Sequence, residues 1–162
     1  MLTEKQNFDD FIKSVEPAHQ AFTRAAHEVL MMGSCKMKME SKASGLFVSY
    51  SNPKTKRSLL IFLFRKSGLL VRLYPDNTNS LFSMENLPVS MEKEIDKAPD
   101  CKMCSDKCNK GYKFLLHEKA YNKCRYNAFL FAVTQESKPV LTEWIEKEIE
   151  LCNQCLTTLT SA

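Results

Sequence analysis

The decapeptide Arg57–Lys66, RSLLIFLFRK, constrains this chain more than any other stretch. Its six consecutive apolar residues, Leu59 to Phe64, leave nothing polar for solvent on either face of a strand. Such a strand belongs in the middle of a sheet, covered on both sides. Two further strand-like runs flank it: Leu46–Ser51, ended by Asn52-Pro53, and Leu69–Tyr74, ended by Pro75. Ser67-Gly68 is a tight hairpin signal. The three runs therefore form an antiparallel meander. In the third, Leu70, Arg72 and Tyr74 alternate with Leu69, Val71 and Leu73, which predicts one wet face.

Helical periodicity brackets the meander. Phe8, Phe11, Ile12 and Val15 recur at helical spacing behind a Thr3–Gln6 capping box. Pro17 ends that helix and opens a second, over Ala18–Met32, with Phe22, Ala25, Ala26, Val29 and Met32 as its buried stripe and Gly33 as its stop. Lys36–Ala43 reads either as a short strand or as an irregular connection. Pro88–Lys97 reads as a short helix with Val89, Met91 and Ile95 inward. Tyr112–Leu116 is a strand, His117-Glu118-Lys119 its turn, and Tyr121–Val133 a second strand with a bulge near Arg125. Ser137 caps a last helix, whose core face is Val140, Leu141, Trp144, Ile145, Ile149, Cys152 and Leu156. Glu143, Glu146, Lys147, Glu148 and Glu150 read as its solvated side.

These elements make an α+β fold. An N-terminal helical pair precedes a mostly antiparallel sheet of about five strands, and a C-terminal helix packs on the sheet with Trp144 as anchor. At 162 residues the chain reads as a single domain, 1–162, with 100–126 as a cysteine-rich loop and hairpin. The N-terminus carries acids where a signal peptide carries an apolar run, and Leu59–Phe64 is far too short to span a bilayer. The expectation is a cytoplasmic protein without a membrane partner.

The chemistry concentrates in Asp100–Arg125, DCKMCSDKCNKGYKFLLHEKAYNKCR. Four of the seven cysteines lie here: Cys101, Cys104, Cys108 and Cys124. Seven is odd, and in a reducing compartment clustered cysteines favour metal or redox chemistry over a disulfide framework. The spacing is Cys-x2-Cys-x3-Cys, then fifteen residues to Cys124. Zinc takes four thiolates in a tetrahedron, and three cysteines from a loop with one from a hairpin strand supply them. His117, in the hairpin turn, is the alternative fourth ligand. An iron–sulfur cluster also takes four cysteines, but this spacing is not the ferredoxin run. Lys102, Lys107, Lys110, Lys113, Lys119, Lys123 and Arg125 outnumber Asp100, Asp106 and Glu118, a net +4 that equals the whole chain's charge. Such bases would stabilise thiolates from outside the ligand set.

Other readings stand beside that one. The same thiols suit a redox pair or a cysteine-dependent enzyme, with Cys104 or Cys108 activated by lysine. They also suit plain small residues, although Lys, Ser, Asp and Asn surround them where a core cysteine has apolar neighbours. Cys35, and the Cys152–Cys155 pair near a helix C-terminus where the dipole disfavours a thiolate, read as packing residues. Tyr112, Phe114, Tyr121, Tyr126, Phe129 and Phe131 interleave with the bases of 102–125, as in a sheet face that binds an anionic ligand or nucleic acid; a sheet core with a basic rim gives the same pattern. No Gly-rich phosphate loop, GxSxG or HExxH is present.

Residues 8–74 resemble the YdhG-like family of small bacterial domains. The likeness lies in FDDFIKSV, a long helix, and a three-strand meander ending in LLVRLYP. The family is largely uncharacterised, with some members labelled iron chaperones. This chain lacks its Gly-x-Pro-like turn before the first strand, and the cysteine block has no counterpart there. The resemblance therefore implies a fold for the first half and no site residues.

Overall fold

The computed structural model describes residues 4–43, 45–75, 87–103 and 111–160. Helix α1 (Glu4–Ser14) and helix α2 (Pro17–Met32) meet at Pro17, in the first turn of α2, where a missing N–H costs nothing. Phe8, Phe11, Ile12 and Val15 are buried as the periodicity predicts. In α2 the buried line is Phe22, Ala26 and Leu30, four residues apart, with Thr23 beside it. Ala25 and Met32 are exposed, so the expected stripe is corrected by part of a turn. Thr3 of the expected capping box lies outside the described residues.

The end of α2 also departs from expectation. The left-handed residue is Ser34, at φ 61°, while Gly33 sits at φ −77°. Gly33 is needed for space instead: a Cβ there would stand 2.7 and 2.8 Å from Cδ1 and Cγ2 of Ile149.

Five strands form the main sheet: β1 (Lys36–Lys42), β2 (Gly45–Ser51), β3 (Ser58–Arg65), β4 (Gly68–Leu73) and β7 (Phe129–Ala132), in that spatial order and antiparallel throughout. The apolar strand β3 is central, as its composition demands. Val48, Phe62, Val71 and Phe131 lie across one register row, and Tyr50, Leu60, Leu73 and Phe129 across the next. All eight are essentially inaccessible and face the helices. Each such side chain contributes roughly 1.5–3 kcal/mol through burial. The opposite face is not wet. Ile61, Leu63 and Leu70 are buried there, with Phe47, Tyr74 and Leu130 packed on them. Lys36–Ala43 resolves into edge strand β1, whose Lys36 and Lys38 are exposed while Met37 is buried. Lysines on an edge discourage pairing with another chain.

Tyr112–Leu116 does not join this sheet. It pairs as β5 with β6 (Lys119–Lys123) in a separate two-stranded ribbon. The expected long strand Tyr121–Val133 is broken. At Cys124–Asn127 the chain makes a turn closed by Asn127 N–H on the Cys124 carbonyl at 3.1 Å, and only then enters β7. The ribbon packs through Tyr112 and Phe114 onto Phe129, with ring centroids 5.1 and 5.6 Å apart. Helix α3 (Val89–Lys97) adds Met91 and Ile95 to the same core, whereas Val89 is exposed.

Helix α4 (Ser137–Thr160) lays Val140, Leu141, Trp144, Ile145 and Ile149 into the core. Its cap is a reciprocal pair. The Thr134 Oγ1 accepts from Ser137 N–H at 3.1 Å, and the Ser137 Oγ accepts from Thr134 N–H at 2.8 Å. Thr134 thus holds the cap position, and Ser137 plays the part usually taken by Glu or Gln. Glu148 is 1% exposed and does not belong to the solvated face. It lies seven residues after Leu141 and four after Trp144, on the core side.

A polar pair is built into the helix–sheet core. The Tyr50 hydroxyl lies 2.7 Å from His27 Nδ1, and the His27 ring stacks on Phe8 at 3.7 Å. Burial, with the charge of Cys35 adding, pushes the Tyr50 phenol far above its usual range, so it stays protonated. Burial also lowers the His27 pKa below 6.5; Glu28 opposes this, Arg24 adds to it and Asp9 opposes it.

Two outcomes follow. Gly33→Ala should destabilise the protein by about 1–3 kcal/mol in urea denaturation, because the new methyl overpacks Ile149. Unfolded His27 binds its proton near pH 6.5 and folded His27 only at lower pH, so the unfolded chain holds the extra proton in between. Stability should therefore fall as pH drops below about 6.5, down to the folded pKa. Urea midpoints measured from pH 8 to pH 5 should drop less steeply in His27→Gln.

Candidate metal centre

The site grows from the end of α3. The chain leaves the helix at Ala98, and Pro99 sets it in an extended path. It then runs antiparallel to β6 for one bridge, Asp100 opposite Lys123. Two backbone bonds flank the bridge: Cys101 N–H to Asn122 O at 2.9 Å, and Cys124 N–H to Pro99 O at 2.8 Å. The ribbon therefore gains a short third strand along β6.

This register decides where two of the four candidate thiols stand. Directly opposed residues share a face, and faces alternate along a strand. Asp100 and Lys123 point one way. Cys101 and Cys124 point the other way, as a diagonal pair offset by two residues from direct opposition. Both are half-buried and reduced. The Asn127 side-chain amide lies 3.8 Å from Cys124 Sγ and donates toward it. Such an N–H is a common partner of a metal-bound sulfur.

Gly111 closes the base of the loop. A Cβ at this position would fall 2.5 Å from the Lys123 carbonyl oxygen and 2.6 Å from Cys101 Cβ. Only a glycine lets the returning chain lie against Cys101 and the β6 backbone together. Gly111 is thus held against Cys101. Cys104 and Cys108, within 102–110, lie outside the described residues. Among the described residues no three His, Cys, Asp or Glu side chains form a group able to hold a metal ion.

His117 is not brought to the thiols. It sits in the β5–β6 turn, where His117 and Glu118 both have positive φ (50° and 66°), as a two-residue type I′ turn requires. The Cys101–Cys124 level and this turn are separated by the ribbon, roughly 14 Å of strand at about 3.4 Å per residue. His117 Nε2 instead pairs with Glu92 Oε1 on α3 at 2.6 Å.

The basic residues around the cysteines have individual tasks. The Lys123 side chain is only 5% exposed, and its ammonium donates to Asp96 O at 3.0 Å and Ala98 O at 2.8 Å and pairs with Asp100 Oδ1 at 3.0 Å. Those carbonyls are helix-end acceptors that would otherwise be left over. Lys119 pairs with Asp96 at 3.1 Å. Its hydrogen bond, then its charge, holds the Asp96 carboxyl below the usual range, and Asp96 raises Lys119 in turn. Arg125 lies over the Tyr112 ring at 4.3 Å. Lys102 and Lys113 are exposed, and Lys107 and Lys110 lie outside the described residues.

The aromatic residues are mostly core. Tyr112, Phe114, Phe129 and Phe131 are buried, and of the six only Tyr126 is largely exposed. Base stacking needs accessible rings, so this arrangement supplies no stacking sheet face. No helix among the described residues is long and apolar enough to cross a membrane.

Gly111 and Lys123 are positions whose structural part spacing arguments miss. Gly111 has a signal: it is one of only four glycines, set in a polar loop directly before a strand. Lys123 has no signal of its own, since nothing in the sequence sets it apart from the other six bases of the stretch. No protein-family model matches the chain, and neither the curated proteins nor the solved structures contain a match.

Gly111→Ala should be among the most damaging single substitutions in this region, because backbone atoms cannot yield to the new methyl. The expected cost is about 1–3 kcal/mol in urea denaturation. Hydrogen exchange at the Cys101 and Cys124 amides should quicken as well. Unchanged exchange there would mean that the close approach does not hold the bridge.

Proposed function

We propose that this chain is a metal-binding domain with a binding or regulatory role, holding zinc through Cys101, Cys104, Cys108 and Cys124. One observation carries the reading: Cys101 and Cys124 share a face of the bridge, and Gly111 is held against Cys101. Cys104 is three residues from Cys101, and Cys108 is three from Gly111.

Geometry favours a shared ion over a direct bond between the two described thiols. Diagonal neighbours across antiparallel strands have Cα atoms roughly 7–8 Å apart. A disulfide spans at most about 7 Å. A zinc ion with bonds of about 2.3 Å to each sulfur bridges a wider gap. The donor set fits as well. Four thiolates suit zinc's tetrahedron, the Asn127 amide is aimed at one sulfur, and two backbone hydrogen bonds hold the strand carrying another. Bound zinc would stabilise the fold by linking the loop to the ribbon, as structural sites do.

Elemental analysis of the purified protein tests this. The expected result is one zinc per chain, with the thiols of the set resisting alkylation until a chelator is added. Cys101→Ser and Cys124→Ser should each lose most of the metal, while Cys35→Ala should keep it. Metal-free protein with every thiol freely titratable would reject the reading.

A further inference from the structure

Lys123 is unlike the other bases near the cysteines. Its side chain is as buried as a core leucine, and its three donor positions meet three oxygens: Asp96 O, Ala98 O and Asp100 Oδ1. The Tyr121 ring lies 5.4 Å from the ammonium on a further side. An ammonium taken from water without such partners would be strongly unfavourable, so the pocket and the lysine require one another.

The consequence reaches the opposite face of the bridge. Two acceptors belong to the last turn and exit of α3, and the third to the residue directly across from Lys123. Together they fix three things: where the helix ends, how Pro99 leaves it, and which residue of the short strand faces Lys123. A slip by one residue along β6 would turn Cys101 to the other face, because side chains alternate. The ammonium opposes that slip, since Asp100 and the two carbonyls would lose it together.

We propose that Lys123 is the positioning residue of the thiolate centre. By gripping the end of α3 and Asp100, it holds the register that sets Cys101 diagonal to Cys124. The inference rests on the metal-binding reading given above and adds the group that preorganises it. Among the described residues Lys123 touches no sulfur. Its role is exerted through the backbone of 98–101.

Lys123→Met tests this, because it keeps the aliphatic stem and removes the ammonium. Cobalt(II) serves as the probe, since its absorption reports tetrahedral thiolate coordination, and zinc affinity follows by competition with a chromophoric chelator. The wild-type chain should bind one ion tightly. Lys123→Met should bind it about 10-fold to 100-fold more weakly, the range typical of lost outer-shell support. Its cobalt spectrum should change, and Cys101 and Cys124 amide exchange in the metal-free protein should quicken. Thr134→Ala, which weakens the distant cap of α4, controls for stability alone and should bind metal as wild type does. Asp100→Ala provides a milder change at an exposed residue should Lys123→Met not fold, with weakened binding again expected.

The outcomes separate. Wild-type affinity and spectrum in Lys123→Met, or in Asp100→Ala where only that variant folds, overturn the positioning role and leave the centre standing. Equal weakening in Thr134→Ala also overturns it, as a general stability effect. A wild-type chain that binds neither ion overturns the centre itself, and the positioning role with it.

Discussion

Everything else in this fold is arranged around a strand that cannot face water. β3 buries Leu60 and Phe62 toward the helices and Ile61 and Leu63 on the reverse side. A strand in that situation must have neighbours on both edges and apolar cover above and below. β2 and β4 take the edges, and α1, α2 and α4 cover one face. β7 then extends the sheet beyond β4, and its Phe129 gives the ribbon an aromatic surface to sit on. Cys101 and Cys124 are carried by that ribbon and its approach, so their placement descends from the core by a chain of packing contacts.

The link from core to site is polar. Apolar packing places the ribbon near α3 but does not choose a register for the connecting strand. The choice falls to directional groups: the bridge bonds at Cys101 and Cys124, the Lys123 ammonium on the end of α3, and the bare backbone of Gly111. Each is specific to within a residue, because a one-residue slip exchanges the two faces. The same face alternation gives division of labour. One side of the bridge holds the buried Lys123 ammonium and its exposed partner Asp100, and the other presents sulfur. A thiolate centre placed there would find two of its ligands already held by the metal-free backbone.

Much of the fold was legible from residue patterns, and the misses have physical reasons. Helical periodicity located all four described helices, and the apolar run of β3 foretold both its central place and its two covered faces. The expected number of strands in the sheet agrees, but its membership does not. β1 was ambiguous because Lys36-Met37-Lys38-Met39 alternates like a strand yet carries lysines. Tyr112–Leu116 was recognisable as a strand, but strand propensity does not name a partner, and it pairs only with β6. The break at Cys124–Asn127 was hidden by continuous strand-like composition. Leu70 was read as solvent-facing because alternation on β4 cannot reveal apolar neighbours contributed by β3. At the site, spacing singled out the cysteines but did not foresee that the turn geometry sends His117 to Glu92. It grouped Lys123 with the other bases around the thiols and did not single out its burial. A buried, triply satisfied lysine leaves no trace in composition, since its partners are backbone carbonyls and one acid far enough away to look unrelated.

The central claim is that sulfurs from the loop and from the ribbon share one ion, and X-ray absorption at the zinc edge of metal-loaded protein tests it most directly. The account predicts a first shell of four sulfurs at about 2.3 Å. A shell of nitrogen and oxygen, or one with two sulfurs or fewer, would contradict it.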